Sequence, residues 1–295
     1  MPRTSKNSRI RATGPAIAIW SGDCSGSMNT MGPSPLLGAR EFIKTHIKLA
    51  ETGTPLWLHF STFNHRSQCI YSGLANDMTP QDIDNCVYAM SPGGGTRFFD
   101  TVVEVCDLIP HLIQKLTDTF SKEVRKLTPH ITVSTTIMTD GVDNQSTRHN
   151  HTSMRDTIHK HRTDGCVFIF LGANQDANTV GIKYGFDPNL CLQVGSDPQF
   201  SRAAFTSATS ASARALSSQV PDFVGNERST SCSVGEAMRY SHPLLRKMPG
   251  DNSPTNLSLF PAPPAPIGPL GRGPPGMVPP PIIRRIVKYG GEQRS

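Results

Sequence analysis

Residues 15–27 read Pro-Ala-Ile-Ala-Ile-Trp-Ser-Gly-Asp-Cys-Ser-Gly-Ser, a short apolar run that stops on an acid and two serines. The run is too short for a helix and too apolar for a solvent-facing segment, so it reads as a buried strand feeding a loop. Asp23, Ser25 and Ser27 then follow at alternate positions. Alternation lets their three oxygens converge while Cys24 and Gly26 point away, and Gly26 permits the backbone angles that such a turn needs. A second strand end has the same character. Residues 131–139 (ITVSTTIMT) are rich in β-branched side chains and end on Asp140-Gly141.

Working outward, the same alternation of strand and helix fills the body. Leu36, Leu37, Phe42, Ile43, Ile47 and Ala50 fall at helical spacing over 35–51. Residues 56–63 (LWLHFSTF) read as a strand, and 67–71 as its antiparallel neighbour after an Asn64-His65 turn. Thr79-Pro80 opens a helix over 79–89, with threonine as cap and proline at the first helical position. Gly93-Gly94-Gly95-Thr96 reads as a flexible loop, followed by a helix to about Leu127 with a kink at Pro110. Further helices are expected over 152–163, 175–184 and 198–218, and strands over 166–171 and 190–194. Most of these strands are continuous apolar runs. That is the pattern of a mainly parallel α/β sheet, here six-stranded, with helices on both faces and one antiparallel edge strand. In such sheets ligands sit beyond the carboxyl ends of the strands, where the strand order reverses. Asp23 and Asp140 occupy two such ends.

Oxygen donors of this kind suit a hard cation. Asp23, Ser25, Ser27 and Asp140, with Thr96 on the glycine loop, give two carboxylates and three hydroxyls. So few strong ligands leave an ion with an open or water-filled position, able to attract an acidic side chain from a partner. The pattern points to binding rather than turnover.

Asp23-Cys24-Ser25-Gly26-Ser27-Met28, then Gly94-Gly95-Thr96, then Thr139-Asp140-Gly141, resembles the von Willebrand factor type A domain. In that family the DxSxS turn, a distant threonine and a distant aspartate form the metal-ion-dependent adhesion site, and each position has its match here. Leu171-Gly-Ala-Asn-Gln-Asp176 is similar to a segment after the fifth strand in intracellular bacterial and viral members. The resemblance covers 13–219. It implies a Rossmann-like, doubly wound sheet, Mg2+ or Mn2+ held by Asp23, Ser25, Ser27, Thr96 and Asp140, and protein–protein recognition. It further implies that the two aspartates act partly through water. The glycine loop, read as mobile, offers a switch in which Thr96 engages the ion only when a partner carboxylate arrives. Adjacency alone nominates Asn29, Gly95, Arg97 and Asn144 as the rim that shapes partner choice.

Blander readings stand beside these. Asp and Ser favour loops, so the cluster could be a set of turn caps. Asp143 reads as a solvated turn residue. His149-x-His151 and His159-x-His161 place i and i+2 on different helix faces, and no cysteine flanks them, so a solvated polar face outweighs a zinc site. Cys24 has no base at a recognisable spacing and reads as packed behind the turn. The glycine loop lacks the Lys-Ser/Thr of a phosphate-binding loop, and residues 22–27 match neither the nucleophile elbow nor the dinucleotide fingerprint.

Composition sets the ends apart. Net charge is +6, yet residues 1–11 carry four bases and no acid, and 220–295 carry nine bases against five acids. The body between them has 16 bases and 18 acids, so it offers no basic face for nucleic acid. Residues from 220 onward hold 14 of the 25 prolines and almost no periodic apolar pattern. This segment reads as a disordered Pro/Gly-rich tail, following a basic arm (1–12) and the body (13–219). Residues 261–281 suit a flexible spacer or a ligand for proline-recognition modules. The basic, amphiphilic stretch 282–288 (IIRRIVK) reads as a docking peptide or a surface anchor. Seven cysteines without paired spacing, no long apolar segment and no signal core lead to the expectation of an intracellular, soluble protein with no membrane span. The expected function is a non-enzymatic, metal-dependent interaction module. The rivals are a metal-dependent hydrolase, for which no general base sits near the ligands, a nucleic-acid-associated protein working through its basic ends, and a metal-free scaffold working through its tail.

Overall fold

The computed structural model describes residues 14–120, 130–233 and 235. The basic arm, the end of the helix expected to run to Leu127, and the proline-rich 261–281 lie outside the described residues. Six strands form one sheet: β1 (Ala16–Asp23), β2 (Leu56–Phe63), β3 (Ser67–Leu74), β4 (Thr132–Thr139), β5 (Val167–Ala173) and β6 (Cys191–Val194). Their order is β3-β2-β1-β4-β5-β6. All neighbouring pairs are parallel except β2 with β3, which is antiparallel and carries a bulge at Phe60/Ser61. The helices are α1 (Ser34–Glu51), α2 (Pro80–Tyr88), α3 (Phe98–Asp118), α4 (His151–Thr163), α5 (Ala177–Tyr184), α6 (Pro198–Leu216) and α7 (Gly225–Thr230). This is the Rossmann-like, doubly wound arrangement expected, with one antiparallel edge strand.

Alternation along β1 divides the core. Ala16, Ala18 and Trp20 face α1 and α6, whereas Ile17 and Ile19 face α3 and α4. Trp20 anchors the first layer, 5.1 Å from Phe42, 5.9 Å from Phe60 and 6.2 Å from Phe205 between ring centroids. Truncating such a fully buried ring costs about 3–5 kcal/mol. Helices α1 and α6 approach so closely that a Cβ on Gly38 would stand 2.3 Å from the Phe205 ring. Helix α3 runs through Pro110 without interruption, its buried face formed by Cys106, Ile109, Leu112 and Leu116. The expected kink there is not an end of the helix, because apolar burial on both sides of the proline offsets one missing hydrogen bond.

The packed body extends past the boundary set at 219. Phe223 and Cys232 are buried, Arg214 holds Glu227 at 2.9 Å, and Arg228 donates to the carbonyls of Cys191, Pro188 and Asn189. Gly195 N–H donates to Ser231 O beside them, so the outer edge of β6 is covered. Composition hid this because guanidinium–carbonyl bonds, not a periodic apolar face, hold the segment. Among the described residues no helix is long and apolar enough to cross a membrane.

Candidate metal centre

Helix α1 leaves β1 toward one face of the sheet and α4 leaves the β4 loop toward the other, so the crevice between β1 and β4 opens at their carboxyl ends. That is where strand order reverses, and it is where Asp23 and Asp140 stand. Asp23 is fully buried; its Oδ1 accepts from Ser25 N–H at 2.7 Å and its Oδ2 from the Thr139 hydroxyl at 2.7 Å. Ser25 and Ser27 hydroxyls are 3.1 Å apart, and Ser27 Oγ donates to Asp140 Oδ1 at 2.7 Å. A Cβ on Gly141 would lie 3.7 Å from Ser27 Oγ and 3.9 Å from Thr96 Oγ1, which puts both hydroxyls over the turn after Asp140. All five residues singled out in the sequence therefore meet in one place.

Electrostatically the place is short of positive charge. Among the described residues neither Asp23 nor Asp140 has an ion-pair partner. Burial raises the Asp23 carboxyl to about 6, against the pull of the Thr139 and Ser25 hydrogen bonds, and the nearby Asp140 adds to the rise. Burial likewise raises Asp140, although the Ser27 hydroxyl draws it back. Among the described residues Asp140 Oδ2 is buried with no hydrogen-bond partner. A buried, unpartnered carboxylate oxygen is costly unless something charged meets it. The donor set fits a hard divalent ion such as Mg2+ or Mn2+ better than zinc, which prefers nitrogen and sulfur. Among the described residues no three His, Cys, Asp or Glu side chains gather as a metal site. That agrees with a cluster in which only two of five groups are carboxylates. Cys24 is packed behind the turn, 5% exposed, with its thiol pushed up by burial.

Several neighbours differ from their sequence reading. The glycine loop is tethered rather than loose: Gly93 N–H donates to Cys24 O at 2.8 Å and Gly26 N–H to Gly94 O at 2.9 Å. Gly94 adopts φ +79°, and a side chain there would strike His65. Arg97, nominated for the rim, is spent on Glu104 at 2.8 Å and Asp100 at 3.2 Å. Asn144 is exposed, as a rim residue would be, but its Oδ1 is engaged, accepting from Thr96 N–H at 2.8 Å. Asp143, read as a solvated turn residue, accepts from Phe99 N–H at 2.9 Å and from the Ser146 hydroxyl. The sequence reading missed Asp100 and quoted Thr139 in the motif without giving it a role. For Thr139 the signal was its place beside Asp140 at a strand end. Asp100 gave none.

No protein-family model matches the chain, and no curated protein matches it. Solved structures do. The pilus adhesin SpaC from Lactobacillus rhamnosus GG, in its open conformation, matches with TM-score 0.50 and 11% identity over 68% of this chain and 30% of that one. A von Willebrand factor type A protein from Catenulispora acidiphila matches with TM-score 0.44 and 16% identity over 68% and 43% of the two chains. Proximal thread matrix protein 1 from the mussel byssus, with a zinc-occupied MIDAS motif, matches with TM-score 0.45 and 17% identity over 68% and 46%. The chain spans less than half the length of each. At these identities the likeness is one of fold.

Proposed function

We propose that the chain is a non-enzymatic, metal-dependent protein-interaction module. Asp23, Ser25, Ser27, Thr96 and Asp140 hold Mg2+ or Mn2+, and a partner's acidic side chain completes the site. One observation carries the reading: among the described residues the buried Oδ2 of Asp140 lacks a hydrogen-bond partner, beside a second buried carboxylate and a row of hydroxyls. When bound, the ion supplies the missing positive charge and an open position for an anionic group. This chain's own part is to desolvate the two carboxylates and to aim Ser27 and Thr96 from separate loops. Cys24, Cys69, Cys86, Cys106, Cys166 and Cys191 stand as thiols, which supports a reducing compartment.

Calorimetric titration of Mg2+ and Mn2+ into the full chain, carried to millimolar metal, tests the proposal. Saturable binding that an Asp23→Ala, Asp140→Ala double variant loses is the expected result. No binding by a folded wild-type chain overturns it.

A further inference from the structure

Thr96 and Asp140 reach the site on different segments, and those segments are bonded to each other along their length. From one side, Thr96 O accepts from Asn144 and Gln145 N–H, both at 3.0 Å, while Asn144 Oδ1 accepts from Thr96 N–H. Asp143 Oδ2 then receives Phe99 N–H in the first turn of α3, and Ser146 Oγ receives Asp100 N–H at 2.9 Å. From the other side, Asp100 reaches back. Its Oδ1 accepts from His149 N–H at 2.7 Å and Arg148 N–H at 3.1 Å, its Oδ2 from Thr147 N–H at 3.1 Å. Arg97 and Arg148 flank the same carboxylate. The loop so held is mostly exposed and polar, with Asn144, Gln145, Thr147 and Arg148 at the surface, and has no apolar anchor of its own.

We propose that Asp100 and Asp143 are positioning residues for the ion site, each clasping the other's segment so that Thr96 and Asp140 are presented as one rigid body. The inference rests on the metal reading above. Neither residue touches the site. Ligand groups must be held to within about half an ångström to bind a small ion well, and charge-assisted bonds to backbone N–H groups are the means available to a polar loop. The DxSxS turn joins this body through fewer contacts: Gly93 to Cys24, Gly26 to Gly94, Ser27 to Asp140, and Thr139 to Asp23. Rearrangement of the site therefore moves Thr96 and Asp140 together against Ser25 and Ser27, and does not move Thr96 alone.

Mn2+ binding to the full-length wild type and to Asp100→Asn and Asp143→Asn variants, followed by electron paramagnetic resonance well below their melting temperatures, tests this. Each substitution turns a donor-bearing amide toward backbone N–H groups and should weaken Mn2+ at least tenfold. Arg162→Ala, which breaks the remote pair with Asp187, serves as the control for general destabilisation and should bind as wild type. If Asp100→Asn does not fold, Asp143→Asn and Ser146→Ala carry the test. Wild-type affinity in the folded clasp variants, or equal loss in Arg162→Ala, overturns the positioning role and leaves the metal reading standing. A wild type that takes up no Mn2+ removes both.

Discussion

Asp23 and Asp100 are equally hidden from solvent, and the chain treats them in opposite ways. Asp100 is surrounded by backbone N–H groups and the Arg97 guanidinium. Burial pushes its carboxyl up, but those partners pull harder and hold it below the usual range. Among the described residues Asp23 accepts from the Thr139 hydroxyl and Ser25 N–H, and next to it Asp140 Oδ2 has no hydrogen-bond partner. One region has spent its charge on the fold. The other has kept its charge in reserve, at a cost to stability, as functional sites commonly do.

The largest effect should come from removing the satisfied carboxylate. Asp100→Ala strands the N–H groups of 147–149 and takes one of two carboxylate partners from Arg97, and a loss of about 3–5 kcal/mol is expected in urea denaturation. A loss under 1 kcal/mol would break the comparison. The unsatisfied carboxylate should behave in reverse. Asp23→Asn keeps an acceptor for Ser25 N–H and gains a donor for Thr139, while removing a buried charge whose carboxyl sits near 6 rather than 3.8. The metal-free protein should gain on the order of 2–3 kcal/mol at pH 7, and Mg2+ should no longer raise its melting temperature.

Buried histidines sharpen the contrast through pH. Burial lowers His46 and His59 to about 4, despite the Phe42 carbonyl that pulls His46 up. His46 is nevertheless satisfied when neutral, bonded to Phe42 O at 2.7 Å and Ser212 Oγ at 2.9 Å. Their folded values lie below the unfolded 6.5, so the stability they confer is whole above pH 6.5 and is lost as pH falls from 6.5 toward 4. Asp23 runs the other way: its penalty is present above 6 and is relieved as pH falls from 6 toward 3.8. At pH 5 each histidine costs on the order of 2 kcal/mol and Asp23 returns about 1, so acid should destabilise the protein. In His46→Gln the difference between pH 7 and pH 5 should shrink by roughly 2 kcal/mol. The smallest effect belongs to Thr96. Among the described residues its hydroxyl makes no hydrogen bond, so Thr96→Val should leave the metal-free melting curve unchanged. Mn2+ binding should weaken about tenfold, or roughly 1.4 kcal/mol.

The sheet was legible because it depends on local pattern. The apolar runs at 15–20 and 166–171, and the threonine-rich run at 131–139, can be nothing but covered strands, and two of them end on the acids that matter. Helices α1, α2 and α4 fell within two residues of their expected bounds for the same reason. What stayed hidden depends on distant backbone. Asp100 looks like any helical acid, because its partners are N–H groups 47–49 positions away that carry no side-chain signature. Asp143 and Asn144 look like turn residues until the start of α3 is placed against them. The ordered stretch beyond 219 escaped because one arginine reaching three carbonyls leaves no periodicity to read.

That arginine has one more effect. A sheet offers two sides on which another strand can add, and here Arg228 and Ser231 already occupy the β6 side. Among the described residues β3 is the opposite edge of the sheet, so a strand added from outside would find its backbone partners on the β3 side rather than beside Arg228.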